Sequence, residues 1–409
     1  MKEIFRFILI LPSLVSLAYS QWSHASCPVN LQAGGLCQHN GKLFVGTFSY
    51  GICYSNDCGS IWNSFEPIAP FFDMCSITCI NDTLYSTDIG GRIYTSTNDG
   101  TSWTTFQVVP SFPPIVRSVY ENDGIYFAAT DGGVYRSTDN GKNWSIDTLG
   151  AGIVMAQAFI ENKGKIFLGS RSGLFSSSNN GLSWNRSDSG LPQWTDIGSF
   201  VLCGNAILAG TRGYGVYISK DGGISWSPCN INLPVGYISQ LLLYNNILFC
   251  AATTWYGSIG GVYSCDTSAF SWRSLSDNLS NTDVQSIIVS GNNLVISTNL
   301  SGMFYRDLST VTSVTNNYET LLPNIALWQN YPNPFNPSTT ISFALPSSAF
   351  VTLKIFDNIG REIVTLISKE LSKGFHSYLW NASNVSSGVY YYRLYSGQSV
   401  CTKKIMVLK

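Results

Sequence analysis

A period of about forty residues constrains this chain more than any other feature. The fragments GICY (51–54), GRIY (91–94), GVYR (133–136), GLFS (173–176), GVYI (215–218), GVYS (261–264) and GMFY (302–305) repeat one pattern. Their aromatic residues, Tyr54, Tyr94, Tyr135, Phe175, Tyr217, Tyr263 and Phe304, stand 40, 41, 40, 42, 46 and 41 residues apart. Short apolar runs recur with them, such as KLFVGT (42–47), KIFLGS (165–170) and AILAGT (206–211). A unit of this length holds four short strands and cannot bury its apolar faces alone, so units pack side by side. Seven of them predict an all-β chain with a seven-bladed β-propeller over residues 21–308.

A second phrase follows five of these strands: SNDCGSIW (55–62), STNDGTSW (96–103), STDNGKNW (137–144), SSNNGLSW (177–184) and SKDGGISW (219–226). Its acidic or amide residues, taken as Asp57, Asp99, Asp139, Asn179 and Asp221, are expected to accept backbone N–H groups of a tight turn, with the serine hydroxyl adding a local bond. Glycine takes the positive φ that other residues resist. The asparagine at 179 keeps the acceptor and cannot act as an acid or base, which favours a structural role over catalysis. Tryptophan closes each phrase at Trp62, Trp103, Trp144, Trp184 and Trp226, with a degenerate Trp272, and Trp22 stands 40 residues before Trp62. The seventh unit has no tryptophan of its own. The stretch around Trp22 is therefore expected to supply its outermost strand, closing the ring without a free edge.

The phrase SNDCGSIW and its relatives resemble the Asp-box, or bacterial neuraminidase repeat, of sialidases, some glucan-cleaving enzymes, sortilin-type receptors and photosystem II assembly factor-like propellers. The resemblance covers most of residues 22–306 and speaks for the fold while leaving function open.

MKEIFRFILILPSLVSLAYS places Lys2 and Arg6 before an apolar run and ends on small residues, which reads as a cleaved export signal over 1–20, and no later stretch is apolar and long enough to span a bilayer. Export fits eleven cysteines, an odd number that leaves at least one unpaired. Cys53 with Cys58, and Cys250 with Cys265, are the candidate bridges. With no CxxC pair and three histidines, neither a zinc site nor any other cofactor is expected. Charged residues make up 11% of the chain and nearly balance, which argues against nucleic-acid binding.

Residues 309–325 are polar and lack the period, so they read as a linker. From residue 326 a proline-rich stretch, NYPNPFNPSTTISFALP (330–346), leads into alternating runs, VTLKIFD, REIVTLI, HSYLWNA, GVYYYRLYS and KKIMVLK, which predict a small Ig-like antiparallel β-sandwich. Asn330 to Ile341, DNIGREIVTL (357–366), SSGVYYYRL (386–394) and the terminal KKIMVLK resemble, in order, the C-terminal sorting domain of the type IX secretion system of Bacteroidetes-like bacteria. That resemblance implies recognition by the type IX machinery and delivery to the cell surface or beyond. Eight basic against three acidic residues from 324 onward give the tail a net +5, whereas residues 21–323 carry 13 against 20, a net −7.

In a propeller the loops between second and third strands share a face with the inter-blade loops, opposite the S-x-D-x-G turns. The first class places Tyr50, Asp88, Asp131, Arg171, Arg212, Tyr214, Trp255 and Tyr256 there, and the second adds Phe71, Phe72, Trp194, Asp196 and Tyr237. Arg171, Trp194, Arg212, Tyr214, Trp255 and Tyr256 suit a glycan or protein ligand through stacking and bidentate hydrogen bonds. Asp88, Asp131 and Asp196 are the candidates for a glycosidase carboxylate pair, the alternative to a binding module. Against a sialidase, the early Arg-Ile-Pro motif is missing, because GRIY is not followed by proline. Against the glucan-cleaving enzymes, the chain holds one propeller where two are required.

Overall fold

The computed structural model describes residues 21–27, 33–48, 50–65, 73–108, 115–146, 152–234, 236–254, 260–267, 270–312, 325–327, 330, 333–345, 347–371, 374–397 and 399–408. The expected export signal, most of the linker, Phe71, Phe72, Trp255 and Tyr256 lie outside them. The described residues form seven four-stranded antiparallel sheets between 23 and 307, and a three-stranded and a four-stranded sheet beyond 325. The fold is a β-propeller followed by a small β-sandwich.

Six blades follow chain order, the first built from Ala33–His39, Lys42–Thr47, Gly51–Ser55 and Asn63–Ser64. Second strands such as Lys42–Thr47, Ile125–Thr130, Lys165–Ser170 and Ala206–Thr211 are buried at every position after the first. Blades cover both of their faces, which explains why they read as continuous apolar runs rather than alternating ones. At their far end a hydroxyl staples the hairpin: Thr47 Oγ1 donates to Gly51 O at 2.8 Å, Thr130 to Gly133 O at 2.9 Å, Ser170 to Gly173 O and Thr211 to Gly215 O at 2.8 Å, and Thr298 to Gly302 O at 2.9 Å.

The seventh blade joins Val284–Ser290, Asn293–Thr298 and Gly302–Asp307 to Ser23–His24 at the chain's beginning. The two-residue strand adds little by itself, and the segment around it carries the closure. Ala25 N donates to Met303 O at 2.9 Å, Ser26 N to Ser60 O at 2.9 Å, and Trp62 N to Ser26 O at 2.8 Å, so residues 25–26 bond to the seventh blade on one side and the first on the other. Trp22 is buried, and its indole N–H donates to Leu275 O behind the sixth blade at 2.6 Å. Trp226 and Trp272 likewise reach back to the preceding blade, donating to Ser187 O at 2.9 Å and Cys229 O at 2.8 Å.

The recurrent turn is built from its serine outward. Ser137 Oγ donates to Asp139 Oδ1 at 2.7 Å and accepts Gly141 N–H at 3.0 Å, while Asp139 Oδ1 accepts Lys142 N–H at 3.1 Å and Asn143 N–H at 2.9 Å. Asp57, Asn179 and Asp221 accept in the same way. In the second blade the acceptor is Asn98, which takes Ser96 Oγ–H and Ser102 N–H, each at 2.9 Å. Asp99 does not fill that place: it holds the left-handed position at φ 54° and turns its carboxylate toward His39 and Lys42.

The candidate bridges are absent, as all eleven cysteines are free thiols. Cys250 pairs with Tyr263 and Leu248 with Cys265, which sets the two cysteines two rungs apart on the ladder. Cys53 points into the core beside Trp62, whereas Cys58 sits in the turn at φ 57° with its sulfur against Gly291 of the seventh blade.

In the sandwich, Ala326–Leu327, Ser338–Leu345 and Gly374–Asn381 form one sheet and Glu362–Leu371, Ala349–Phe356, Gly388–Ser396 and Ser399–Val407 the other. Ile341, Phe343, Val351, Leu353, Trp380, Tyr392 and Ile405 fill the space between them. Phe335 N donates to Met406 O at 3.1 Å and Asn330 N to the Tyr392 hydroxyl at 2.7 Å, tying the proline-rich stretch to the last two strands.

Candidate functional site

Each innermost strand breaks register just after its start. The breaks fall between Ala33 and Leu36, Met74 and Ser76, Val116 and Ser118, Ala156 and Ala158, Ile197 and Ser199, Ile238 and Gln240, and Val284 and Ser286. The residues left over are Gly34 with Gly35, then Cys75, Arg117, Gln157, Gly198, Ser239 and Gln285. A bulge frees a residue from the ladder and re-aims its side chain. Seven bulges at the same level make a ring at the mouth of the central channel, at the end where the second strands finish. Hydroxyls link neighbouring inner strands there: Ser118 Oγ donates to Gln157 O at 2.6 Å and Ser239 Oγ to Val284 O at 2.8 Å.

Two arginine–aspartate pairs lie on this ring. Arg117 Nε donates to Asp131 Oδ1 at 2.6 Å. The Gln157 amide donates to Asp196 Oδ1, and Arg212 Nη1 stands 3.9 Å from Asp196 Oδ2. Gly198 keeps the space open, because a Cβ there would lie 3.3 Å from Arg212 Nε and 3.6 Å from Gln157 Oε1. Burial raises the Asp196 carboxyl from the usual carboxylate range, while Arg212, Arg171 and Arg117 pull it back down. Burial likewise lowers the Arg212 guanidinium, against the attraction of Asp196. Arg171 is exposed, and its Nη1 lies 3.4 Å from Met155 Sδ. Among the described residues no carboxylate lies within ion-pair distance of it.

Asp131, Arg171, Asp196 and Arg212 are thus brought together, and Asp88 is not available to join them. It occupies the hairpin-stapling place that threonine or serine holds in other blades. It is fully buried, and it accepts from Gly90 N, Arg92 N and the Tyr94 hydroxyl at 2.9 Å and from Arg92 Nε at 3.0 Å. Four donors saturate the carboxylate, which leaves it no free oxygen for a substrate. Trp194 is 61% exposed on the loop that approaches Asp196, with the Arg186 guanidinium 5.1 Å from its ring centre and Asp188 gripping Arg186 at 2.5 Å. Tyr214 packs partly against the core of the fifth blade, and Tyr237 is bridged to Arg212.

Arg117, Gln157 and Arg186 are functional candidates that reading the loops alone misses. A signal for the first two exists in the sequence. MCS (74–76), VRS (116–118), AQA (156–158), IGS (197–199), ISQ (238–240) and VQS (284–286) recur with the forty-residue period, and the middle residue of each is the bulge. Among the described residues no group of three or more histidine, cysteine, aspartate or glutamate side chains is set to hold a metal ion, and no helix is long and apolar enough to cross a membrane.

Residues 329–408 match the secretion system C-terminal sorting domain family, and residues 83–205 match the DUF6242 beta propeller domain. No curated protein matches the chain in sequence. Among solved structures it is similar to YCF48 bound to D1 peptide, at 16% identity and a TM-score of 0.54 over 71% of this chain and 98% of that one. It is similar to a catalytically inactive virginiamycin B lyase from Staphylococcus aureus with quinupristin, at 12% identity and a TM-score of 0.56 over 71% and 99%. It is also similar to the GH74 enzyme of Niastella koreensis, at 15% identity and a TM-score of 0.51, over 68% of this chain and 43% of that one. At these identities the likenesses establish the propeller architecture and nothing about ligands. The protein therefore joins a β-propeller, matched in part by the DUF6242 domain, to a secretion-system C-terminal sorting domain.

Proposed function

We propose that the chain is exported through the type IX secretion system by way of residues 1–20 and its C-terminal domain, and that the propeller works outside the cell as a non-enzymatic binding module. The ligand is a protein or glycan bearing an acidic group, received at the channel mouth. The observation that carries this reading is Arg171, an exposed guanidinium with no carboxylate within ion-pair distance among the described residues, beside Arg117 and Arg212, whose charges are already matched by Asp131 and Asp196. Such a guanidinium offers a bidentate seat to a ligand carboxylate, and the paired neighbours fix its surroundings in advance. A propeller of this architecture solved with a peptide, YCF48 with D1, supports a peptide segment as one form of the ligand.

Acidic peptides and acidic glycans, presented as arrays to the purified full chain, test the proposal. Saturable binding that weakens at least tenfold, about 1.4 kcal/mol, in Arg171→Ala and falls with added salt is the expected result. Turnover of a glycan that disappears in Asp131→Asn or Asp196→Asn would replace the binding module with a glycosidase. Binding indifferent to Arg171→Ala would remove the channel mouth as the site.

A further inference from the structure

Along the outermost strand of the fourth blade, Asn185–Arg186, a groove follows the joint with the fifth blade. Two cavities of about 450 and 370 Å³ adjoin there, both lined by Arg186 and Asp188. The first reaches Ile224, 70% exposed in the turn of the fifth blade, and the second reaches Trp194, 61% exposed on the loop that leaves the fourth. Between these apolar ends Ser176, Ser189 and Gln193 contribute hydroxyls and an amide to the lining. Both volumes fall within the range of small-ligand sites, roughly 300–1,000 Å³.

Trp194 is held in place against a backbone preference. It sits at φ 60°, in the left-handed region that a bulky side chain rarely takes and where strain clusters at functional positions. The Arg186 guanidinium lies over its ring, 5.1 Å from the centre, and 5.2 Å from the centre of the Phe175 ring. That guanidinium is itself fixed, donating to Ser172 O at 2.9 Å and to Asp188 Oδ2 at 2.5 Å. The segment beneath is pinned to the fifth blade: Ser187 Oγ donates to Gly223 O at 2.7 Å, and Trp226 donates its backbone N–H to Ser189 O and its indole N–H to Ser187 O, each at 2.9 Å. Trp22, Trp62, Trp103, Trp144 and Trp272 likewise donate their indole N–H to a backbone carbonyl, whereas that of Trp194 meets no such acceptor among the described residues. The other rings serve packing, and this one is presented outward.

We infer that this groove is a second ligand site, separate from the channel mouth, and that it takes a neutral, unbranched chain of pyranose sugars whose substituents are all equatorial. Such a ring turns only axial C–H bonds toward an indole face and lies flat on it, burying apolar surface against Trp194. The hydroxyls at its edge donate to the Asp188 carboxylate and exchange hydrogen bonds with the serine and Gln193 side chains. The second cavity carries two charges, Arg186 and Asp188, which neutralise each other, so the sugar stacked there is uncharged. Lys165 adds a hydrogen-bond donor to the first cavity, where the next sugar of an extended chain falls. A proline-rich peptide also stacks on tryptophan, but such segments dock in grooves lined by several aromatic rings, and Trp194 is the one aromatic residue of this lining among the described residues.

Cellohexaose, a neutral chain of all-equatorial glucose units, is the probe, titrated calorimetrically into the purified full chain. Saturable binding that added salt leaves unchanged is expected, which separates this site from the salt-sensitive one at the channel mouth. Trp194→Asn removes the platform and supplies a residue that accepts left-handed backbone, so it should weaken binding at least tenfold without lowering the thermal midpoint. Gln193→Ala alters an exposed side chain and should weaken binding severalfold. No saturable binding of cellohexaose at millimolar concentration, or undiminished binding in a folded Trp194→Asn, would overturn the inference. If Trp194→Asn fails to fold, Gln193→Ala decides: undiminished binding there sinks it. Decaproline binding in place of cellohexaose would make the groove a peptide site and sink it equally. None of these failures touches the Arg171 reading, which rests on acidic ligands.

Discussion

Trp22→Ala tests whether the chain's beginning closes the ring. Trp22 is 7% exposed and packs with Phe249, Leu275, Ile287 and Phe304, residues of the sixth and seventh blades. Removing a buried tryptophan side chain costs about 3–5 kcal/mol. The Leu275 carbonyl still receives Arg306 Nη1 at 3.0 Å, so no orphaned acceptor adds to that figure. Trp22→Phe removes chiefly the N–H bond and should cost about 1 kcal/mol. Urea unfolding followed by circular dichroism reads both. At a slope of about 3 kcal/mol per molar, the alanine variant should lose about 1–1.7 M in midpoint and the phenylalanine variant about 0.3 M. Trp103→Ala is the control: Trp103 is half-buried and donates within its own turn, to Gly100 O at 3.0 Å, so its loss should cost less than half as much. A Trp22→Ala shift no larger than that of Trp103→Ala would show that residues 21–27 lie on the ring without holding it shut.

The turn carboxylates make stability depend on pH. The backbone N–H of Asn143, with its side-chain amide and Ser137, holds the Asp139 carboxyl down at about 2. A depressed folded pKa gives stability that is present above the unfolded value of about 4 and lost as pH falls toward 2. Thermal midpoints of Asp139→Asn should therefore converge with the wild type as pH is lowered from 4 to 2, and a constant gap would contradict this. Gly223→Ala and Gly141→Ala both impose a side chain at positive φ, 84° and 79°. Left-handed strain of about 1–2 kcal/mol is common to both. At 223 the new Cβ would also collide with the Phe167 ring, while at 141 the nearest atom is Trp144 Cζ2 at 3.4 Å. Urea midpoints should place Gly223→Ala lower by an overpacking term of about 1–3 kcal/mol, and equal values would refute the packing argument.

The ring was legible in the sequence because its determinants are local and repeated. A short apolar strand, a hydroxyl at its end, a glycine and an acceptor two residues after a serine recur at a spacing that no core rearrangement disturbs. Trp22 could be assigned to the seventh blade for the same reason. Where a phrase offers two acceptors, counting had to be exact: Asn98 lies two residues after Ser96 and Asp99 three, and the position, not the charge, makes the turn. Asp88 misled as a loop carboxylate because the residue at that strand end is usually a threonine or serine, and aspartate performs the same stapling with more bonds. The pairings of Arg117 with Asp131 and of Gln157 with Asp196 join residues 14 and 39 positions apart. They depend on a bulge turning one side chain toward the channel, which hydrophobic periodicity does not encode.

The two polar clusters differ in what maintains them. At the channel mouth every blade contributes from the same structural place, so one substitution at a bulge changes the lining and leaves the blade intact: glycine at 198, serine at 239 and arginine at 117 all sit on equivalent strands. That modularity is what a recognition surface needs, because specificity can be rewritten one position at a time while the second strands hold the core. The His39–Cys79–Asp99 line has no counterpart in the other blades, since position 39 holds one of only three histidines in the chain. A buried histidine is not required for packing there, as the cluster around Cys37, Phe44, Ile77 and Leu84 is apolar and an aliphatic residue would suit it better. The buried imidazole links the first blade to the second, with Cys79 Sγ 3.2 Å from Nδ1 and with Nε2 3.0 Å from Asn40 Nδ2 and 3.1 Å from Asp99 Oδ1.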